Sequence, residues 1–389
     1  MDIVMNAHKG KGRPANMDRF SVDAAAGVRR YHRSLDGYEP TVLADLSATA
    51  KVLGTGKAWV KDESSRFGLN AFKGLGGSYC LGKLMAEKAG LDDQNLTFRN
   101  VVSVTKDTMT FVTATDGNHG RGVAWAARML GQKAIVYMPK GSSLERLENI
   151  RKQGAAAEIT PWNYDDTVRY AKKQADENGW TLVQDTAWEG YEEIPLSIMQ
   201  GYLTMASEAV EQLDGVKPTH IFLQAGVGAM SGAVSAYLRN VYGNDPKIII
   251  VEPDQADCNY QTALADDGQL HTVAGDLNTI MAGLACGEPC TVGWELLKYC
   301  ADCFISMPDK CAALGMRILG NPAEGDTRVI SGESGAAGFG ALASILMEEP
   351  EVKEKLGINE NSTVLCFSTE GATDIENYRA VVWNGKYAG

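Results

Sequence analysis

From about residue 57 onward the chain alternates short apolar runs with longer amphipathic ones, and few folds accept that alternation. KAWVKDES, MTFVTAT, KAIVYMPK, AAAEITP, TLVQDTA, THIFLQAG, KIIIVEP and STVLCFSTEG read as strands. Between them the periodicity predicts helices over 70–89, over NHGRGVAWAARMLG and over SSLERLENIRKQG, the last opened by a Ser142/Glu145 capping box. NYDDTVRYAKKQADENG is a helix capped by Asn163 and Asp166 and closed by Gly179. One long helix is expected from Pro195 to Leu213, another over AMSGAVSAYLRNVYG, and a late one from SGESGAAGFGALASIL. Strands that are apolar throughout belong in parallel sheets covered on both faces, so the fold class is α/β. With 389 residues the chain exceeds one ordinary core. No linker or repeat divides it, so two lobes are interleaved and not strung in series.

Charge and composition remove several function classes. A formal charge of −12 repels phosphate backbones, so nucleic acid is not an expected partner. The cluster Lys9, Lys11, Arg13 reads as a solvated tail. No run reaches bilayer length and the first twenty residues lack a signal-peptide core, so no membrane is expected and the location is cytoplasmic. Of the eight cysteines, Cys300 and Cys303 form C-x-x-C, and Cys286 and Cys290 flank Glu288. None of the five histidines completes a zinc set with them, so they read as buried thiols and no metal is assigned. Glu252, Asp254 and Asp257 read as solvated carboxylates, with a cation site as the alternative.

Four motifs carry chemistry. Lys73, in GLNAFKGLGGSY, follows a strand and loop at a helix start, where desolvation lowers an amine's pKa and favours a Schiff base. TATDGNHGRG, residues 113–122, is a strand end turning into a helix whose first amides favour a carboxylate, and Asn118 can donate its amide to a phenolate or carboxylate. A tight turn with a glycine and an Asn cap explains the same letters. LQAGVGAMSG, residues 223–232, makes an anion nest without the Walker lysine. Its Gly226, Gly228 and Gly232, followed by Glu252, also mimic a dinucleotide fingerprint. CFSTEGATD, residues 366–374, ends a strand in Ser368 and Thr369, hydroxyls suited to a pyridine nitrogen or simply to a cap.

In this order the four motifs resemble the fold-type-II pyridoxal-phosphate (PLP) enzymes, the group of the threonine and serine dehydratases, cysteine synthase and the tryptophan synthase β chain. The resemblance runs from about Tyr38 to the C-terminal end. It implies two open, twisted, mostly parallel α/β lobes with the active site between them. The large cofactor-binding domain would hold 1–75 and 190–389, and the small α/β domain 76–189. By the same matching, Lys73 is the Schiff-base residue and Asn118 faces the cofactor's phenolate. Gly226, Val227, Gly228, Ala229 and Met230 wrap its phosphate. Thr369, with Ser368 as the fallback, faces the pyridine nitrogen. Thr115, Asp116, Gly117 and His119 line the substrate-carboxylate site, with no proton transfer assigned to His119.

Longer shared stretches, among them KDESSRFGLNAFK, TDGNHGRGVAWAA, QDTAWEGY and IMAGLACGEP, are closest to the branch of the family that acts on 2,3-diaminopropionate. That implies α,β-elimination to pyruvate and two ammonia by a homodimer acting on a small amino acid. A cationic β-ammonium calls for an anion, and Asp116 stands where the dehydratases carry serine. Asp116 and Asp185, in QDTAWEG, are the two candidate bases, Asp185 for the L-form and Asp116 for the D-form. An ion pair or cap explains Asp185 as well. Tyr164, Glu288 and Glu333 lie in shared stretches without a legible role. A serine or threonine dehydratase is the neighbouring alternative. A nicotinamide-dependent oxidoreductase using Gly226–Gly232 with Glu252, and a homologue that only binds, are alternatives of other classes.

Overall fold

The computed structural model describes residues 1–388 except Lys106 and Asp116, and Asn95 without its side chain. Asp116, one of the two candidate bases, therefore lies outside the described residues. The strands are β1 (Asp2–Met5), β2 (Val42–Asp45), β3 (Lys57–Asp62), β4 (Thr110–Ala114), β5 (Lys133–Met138), β6 (Ala156–Ile159), β7 (Thr181–Leu182), β8 (His220–Gln224), β9 (Lys247–Pro253), β10 (Cys303–Met307) and β11 (Thr363–Ser368). They form two sheets in two compact units, residues 1–22, 40–71 and 205–389 in the first and 23–39 and 72–204 in the second.

The first unit holds a seven-stranded sheet in the order β1-β10-β9-β8-β11-β3-β2. Its five inner strands run parallel, and β1 and β2 close the edges antiparallel. Every residue of β8 and of β10 is buried, which is why these strands are apolar without alternation. Phe222, Ile249, Val251, Ile305 and Phe339 share one core. The chain steps β8 to β9 to β10 on one side of β8 and places β11 on the other, so the sheet has a switch point where β8 and β11 end. The turn at 225–228 and the pair Ser368–Thr369 both leave the sheet there.

Lys11 and Arg13 of the basic cluster are exposed as expected, but Lys9 and the segment before it are tied to the fold. Residues 2–5 pair with β10, Asn6 donates to the carbonyls of Lys298 (2.9 Å) and Ala301 (2.8 Å), and Lys9 is ion-paired to Asp302. A four-residue edge strand leaves almost no periodic signal, so it is legible only from its partner. Cys300 and Cys303 close a helix and open β10, both fully buried, and burial pushes the Cys300 thiol up to about 12.

Four of the buried ionisable groups of this unit, Lys61, Glu63, Arg66 and Glu208, form one cluster. Arg66 donates to Glu63 Oε2 (2.8 Å) and, through both terminal nitrogens, to Glu208 (3.0 and 2.7 Å). Lys61 Nζ lies 2.8 Å from Glu208 and donates to the Thr41 carbonyl (2.7 Å). Burial pushes the Glu208 carboxyl up, but Arg66 and Lys61 outweigh it and hold the group at about 2. Arg66 opens a short loop in which Phe67 and Asn70 take left-handed backbone angles, and Asn70 Nδ2 donates to the Ala372 carbonyl (3.0 Å).

The second unit holds a parallel four-stranded sheet, β6-β5-β4-β7. The chain runs β4 to β5 to β6 and returns to β7 on the far side of β4, so this sheet too has a switch point, where β4 and β7 end. The helix Val22–Arg33 belongs mostly to this unit: His32 Nδ1 sits 2.6 Å from Thr204 Oγ1 and Nε2 sits 3.0 Å from the Leu75 carbonyl. Such contacts group 23–39, 72–75 and 190–204 with the smaller sheet, whereas the sequence division assigns them to the larger domain.

Three local expectations change. The helix Leu144–Arg151 is capped by Ser143, not Ser142, its side chain accepting from the Arg146 amide. Asn163 caps Tyr164–Asn178 as expected, but Asp166 pairs forward with Arg169 (2.8 Å) instead of completing a box. The helix expected over 195–213 is two, Glu193–Gly201 and Leu203–Gln212, broken at Tyr202. Among the described residues no helix is long and apolar enough to cross a membrane.

Candidate active site

In the second unit, Lys73 opens the helix Lys73–Ala89. The helix Asn118–Met129 packs against this start. A Cβ on Gly122 would lie 2.9 Å from the Lys73 carbonyl, so only glycine permits the approach. Lys73 Nζ donates to Asp185 Oδ2 at 2.5 Å and lies 5.3 and 5.9 Å from the rings of Phe72 and Tyr202. The start of the helix Lys73–Ala89 and the segment after β7 thus bring an amine and a carboxylate together. Burial pushes the Asp185 carboxyl up, but the charges of His119 and Lys73 and the hydrogen bond from Lys73 outweigh it and hold the group at about 2.

The loop after β4 is ordered by Thr115, whose hydroxyl accepts from the amides of Gly117 (3.0 Å) and Gly120 (3.2 Å). It does the work expected of an Asn cap. Asn118 instead accepts at Oδ1 from Arg121 Nη2 (3.2 Å). Arg146 packs behind Gly117, 3.2 Å from where a Cβ would stand. His119 is 3% exposed. Its Nε2 donates to the Val183 carbonyl (2.8 Å) and its Nδ1 lies 3.6 Å from Asp185 Oδ2. Tyr164 gains a partner here, its hydroxyl accepting from Gln184 Nε2 (2.9 Å).

In the first unit, Gly226–Gly228 lead into the helix Ala229–Tyr242. Their carbonyls are occupied: Gly226 O accepts from Asn259 Nδ2 (2.9 Å) and Val227 O from the Cys290 amide (2.7 Å). The amide edge therefore faces the other way, toward the helix N-terminus, which is the geometry of an anion nest. Gly228 has φ +92° and Asn259 Oδ1 2.8 Å from any Cβ, so both conformation and space require glycine. Beside it, Thr369 Oγ1 accepts from Gln224 Nε2 (2.9 Å), which keeps the threonine's own proton for another acceptor. Ser368 donates to Ser331 Oγ (2.7 Å) and is committed inside the fold.

Glu252 is neither a solvated carboxylate, nor a cation ligand, nor a ribose ligand. It is fully buried and accepts from the Asn259 amide (2.9 Å), Asn259 Nδ2 (2.9 Å) and the Tyr260 amide (2.7 Å). That fixes Asn259 against the glycine turn and removes the acidic partner of the dinucleotide reading. Asp254 is exposed and Asp257 buried. Burial pushes Glu252 up to about 8 against three N–H donors that pull it down. A carboxyl raised from 4.5 contributes stability that is full below about pH 4.5 and lost as the pH rises through about 8. The wild type is therefore expected to lose melting temperature from pH 5 to pH 8.5 relative to Glu252→Gln. Parallel pH profiles of the two would reject this.

Residues 35–370 match the family model described as pyridoxal-phosphate dependent enzyme. The chain is 54% identical over 374 residues to the diaminopropionate ammonia-lyase of Escherichia coli K12, covering 95% of this chain and 94% of that one. The chain belongs to the diaminopropionate ammonia-lyase family of PLP-dependent enzymes. It is also 50% identical to the Salmonella typhimurium diaminopropionate ammonia-lyase, covering 98% and 97% of the two chains. The fold superposes with TM-score 0.92 on the crystal structure of the E. coli enzyme in complex with an aminoacrylate–PLP azomethine reaction intermediate. That match is 51% identical over 99% of this chain and 97% of the other.

Within this family the fold-type-II expectation holds. Sequence reasoning missed Tyr202, Gln224, Asn259 and Ser331. A polar residue ending the apolar strand HIFLQ was a signal for Gln224, and nothing local singled out the others. Glu288 is exposed. Glu333 is buried and accepts from Asn377 (2.5 Å), and burial with Glu370 nearby pushes it up to about 7.

Proposed function

We propose that this enzyme converts 2,3-diaminopropionate and water to pyruvate and two ammonia, on both the D- and the L-form. The observation that carries the reading is the Asp185 carboxylate 2.5 Å from Lys73 Nζ. A hydroxyamino acid needs no such anion, whereas a substrate with a β-ammonium does. The residues present suit PLP: a buried-side lysine at a helix start, an amide nest with its carbonyls tied back, and a threonine hydroxyl whose proton is available. PLP, when bound, supplies the electron sink that stabilises negative charge at the substrate Cα.

In this reading Lys73 holds the cofactor through Nζ, and the amides of Gly226, Val227, Gly228, Ala229 and Met230 bind its phosphate. Thr369 donates to the pyridine nitrogen and Asn118 to the phenolate. Ser368 is the fallback for Thr369 only if Ser331 releases it. The first unit carries the phosphate-binding turn and Thr369, and the second carries Lys73. Thr115, Asp116 and Gly117 line the substrate-carboxylate site, with His119 behind them. Asp185 takes the Cα proton of the L-form and Asp116 that of the D-form. The working form is a cytoplasmic homodimer.

The test is a pyruvate-coupled assay on each enantiomer, with Asp185→Asn and Asp116→Asn beside wild type. Asp185→Asn is expected to lose roughly 10²-fold or more on the L-form and Asp116→Asn as much on the D-form. A variant that kept full turnover of both enantiomers would strip its aspartate of the role. Pyruvate from serine but not from diaminopropionate would move the reading to a dehydratase.

A further inference from the structure

The geometry points to His119 as a positioning residue: a doubly protonated imidazole wedged between the Val183 carbonyl and the Asp185 carboxylate, which keeps that carboxylate ionised and aimed while Lys73 is engaged by the cofactor. The inference deepens the role proposed for Asp185 and rests on it.

Both ring nitrogens face acceptors. The Val183 carbonyl can only accept, so the 2.8 Å contact requires a proton on Nε2 in every state of the ring. Nδ1 then faces Asp185 Oδ2 at 3.6 Å. In the neutral tautomer that places a lone pair opposite a carboxylate, and in the cation an N–H opposite it, so the ionised aspartate selects the cation. The ring cannot turn away. His119 is buried, and the 183–185 segment is stapled to the end of β4 by Val183 N to Val112 O (2.8 Å) and by Gln184 Oε1, which accepts from Thr113 Oγ1 (3.0 Å) and the Ala114 amide (3.1 Å).

The other groups facing Asp185 decide why this matters. Lys73 is the second cation on the same oxygen, and the phenols of Tyr191 and Tyr202 are pushed up by burial and stay neutral. With Lys73 engaged by a bound cofactor, His119 would be, among the described residues, the cation still paired with Asp185. A buried carboxylate without one would take up a proton and cease to be a base. The pair also explains why QDTAWEG places its aspartate three residues after Leu182, where the strand ends: Val183 and Asp185 present the two acceptors.

The experiment uses the full-length, cofactor-loaded enzyme with its histidines labelled at ¹³Cε1. The His119 resonance, assigned by its disappearance in His119→Gln, is expected to show the imidazolium shift at pH 7 in the wild type and to lose it at the same pH in Asp185→Asn. In turnover, His119→Gln should lose roughly tenfold or more in kcat on the L-form with KM little changed, while the D-form stays within about threefold. The acid limb of its L-form profile should move to higher pH. A neutral His119 signal at pH 7 in the loaded wild type overturns the proposal, as does an equal loss on both enantiomers. The spectroscopic arm compares wild type with Asp185→Asn, so it stands even if His119→Gln folds poorly. Asp185→Asn that retains L-turnover would defeat the base assignment while leaving the spectrum to judge the ion pair.

Discussion

Lys73→Ala is expected to purify without the visible absorbance band that the wild type shows with PLP, and to form pyruvate roughly 10³-fold or more slowly. The side chain is asked to do two things that alanine cannot. It holds the cofactor through Nζ, and it is the amine nearest to Asp185, 2.5 Å away. Lys73→Arg separates them, because a guanidinium restores a cation beside the carboxylate but stays charged and does not attach a carbonyl group. Both variants should lose the band and turnover, and Lys73→Arg should keep the wild-type melting temperature more closely. A band at wild-type intensity in Lys73→Ala, stable to dialysis, would mean that another amine carries the cofactor. The packing makes the variant clean: helix 73–89 is bedded on Gly122 through its backbone, and that contact does not involve the lysine side chain.

The parts of the molecule that were legible beforehand are those whose signals are local. The 115–119 loop, the glycine turn at 226–230 and the Ser368–Thr369 pair each lie at a strand end, and an apolar run ending in Gly, Asn, Ser or Thr announces itself, while Lys73 was marked by the glycine-rich helix start that it opens. Strands β3, β5, β8, β9 and β11 were readable for the same reason. What failed was whatever depends on a distant partner. The edge strand β1 is four residues long and exists because β10 offers it hydrogen bonds three hundred residues away in sequence. Glu252 looked like a surface acid or a ribose ligand because its three N–H donors come from a helix start seven and eight residues later, in a turn whose direction no pattern reveals. His119 was read as lining a carboxylate site because its loop does. Its ring turns instead to the Val183 carbonyl, 64 residues on. The break at Tyr202 was hidden because the apolar periodicity continues through it.

The four buried charges around Arg66 set the largest expected effect on stability. Arg66→Leu should lower the free energy of unfolding of the protein by about 3–5 kcal/mol, read from the denaturant midpoint. Lys61, Arg66, Glu63 and Glu208 balance at zero, all four less than 2% exposed. Removing the guanidinium leaves two carboxylates with one ammonium and breaks five hydrogen bonds to Glu63, Glu208 and Thr41. The direction is not in doubt for a single removal, whereas removing a cation and an anion together is a different case. Arg66→Leu combined with Glu208→Leu leaves Lys61 facing Glu63, a neutral set, and fills the space with apolar atoms. The double variant should therefore be less destabilised than the sum of the two single ones, by roughly 1–3 kcal/mol. Additive losses would show that the four groups do not act as a unit. The cluster also has a functional edge. Arg66 roots the loop that passes through the left-handed Phe67 and Asn70 and ends, three residues later, at Lys73. Residues in that region of φ/ψ persist only where the surroundings hold them. Loss of the root should thus raise the PLP concentration needed to restore full activity, while the turnover of the saturated variant stays closer to wild type. A variant destabilised as expected but with unchanged PLP requirement would confine the cluster to the core of the first unit and free the loop from it.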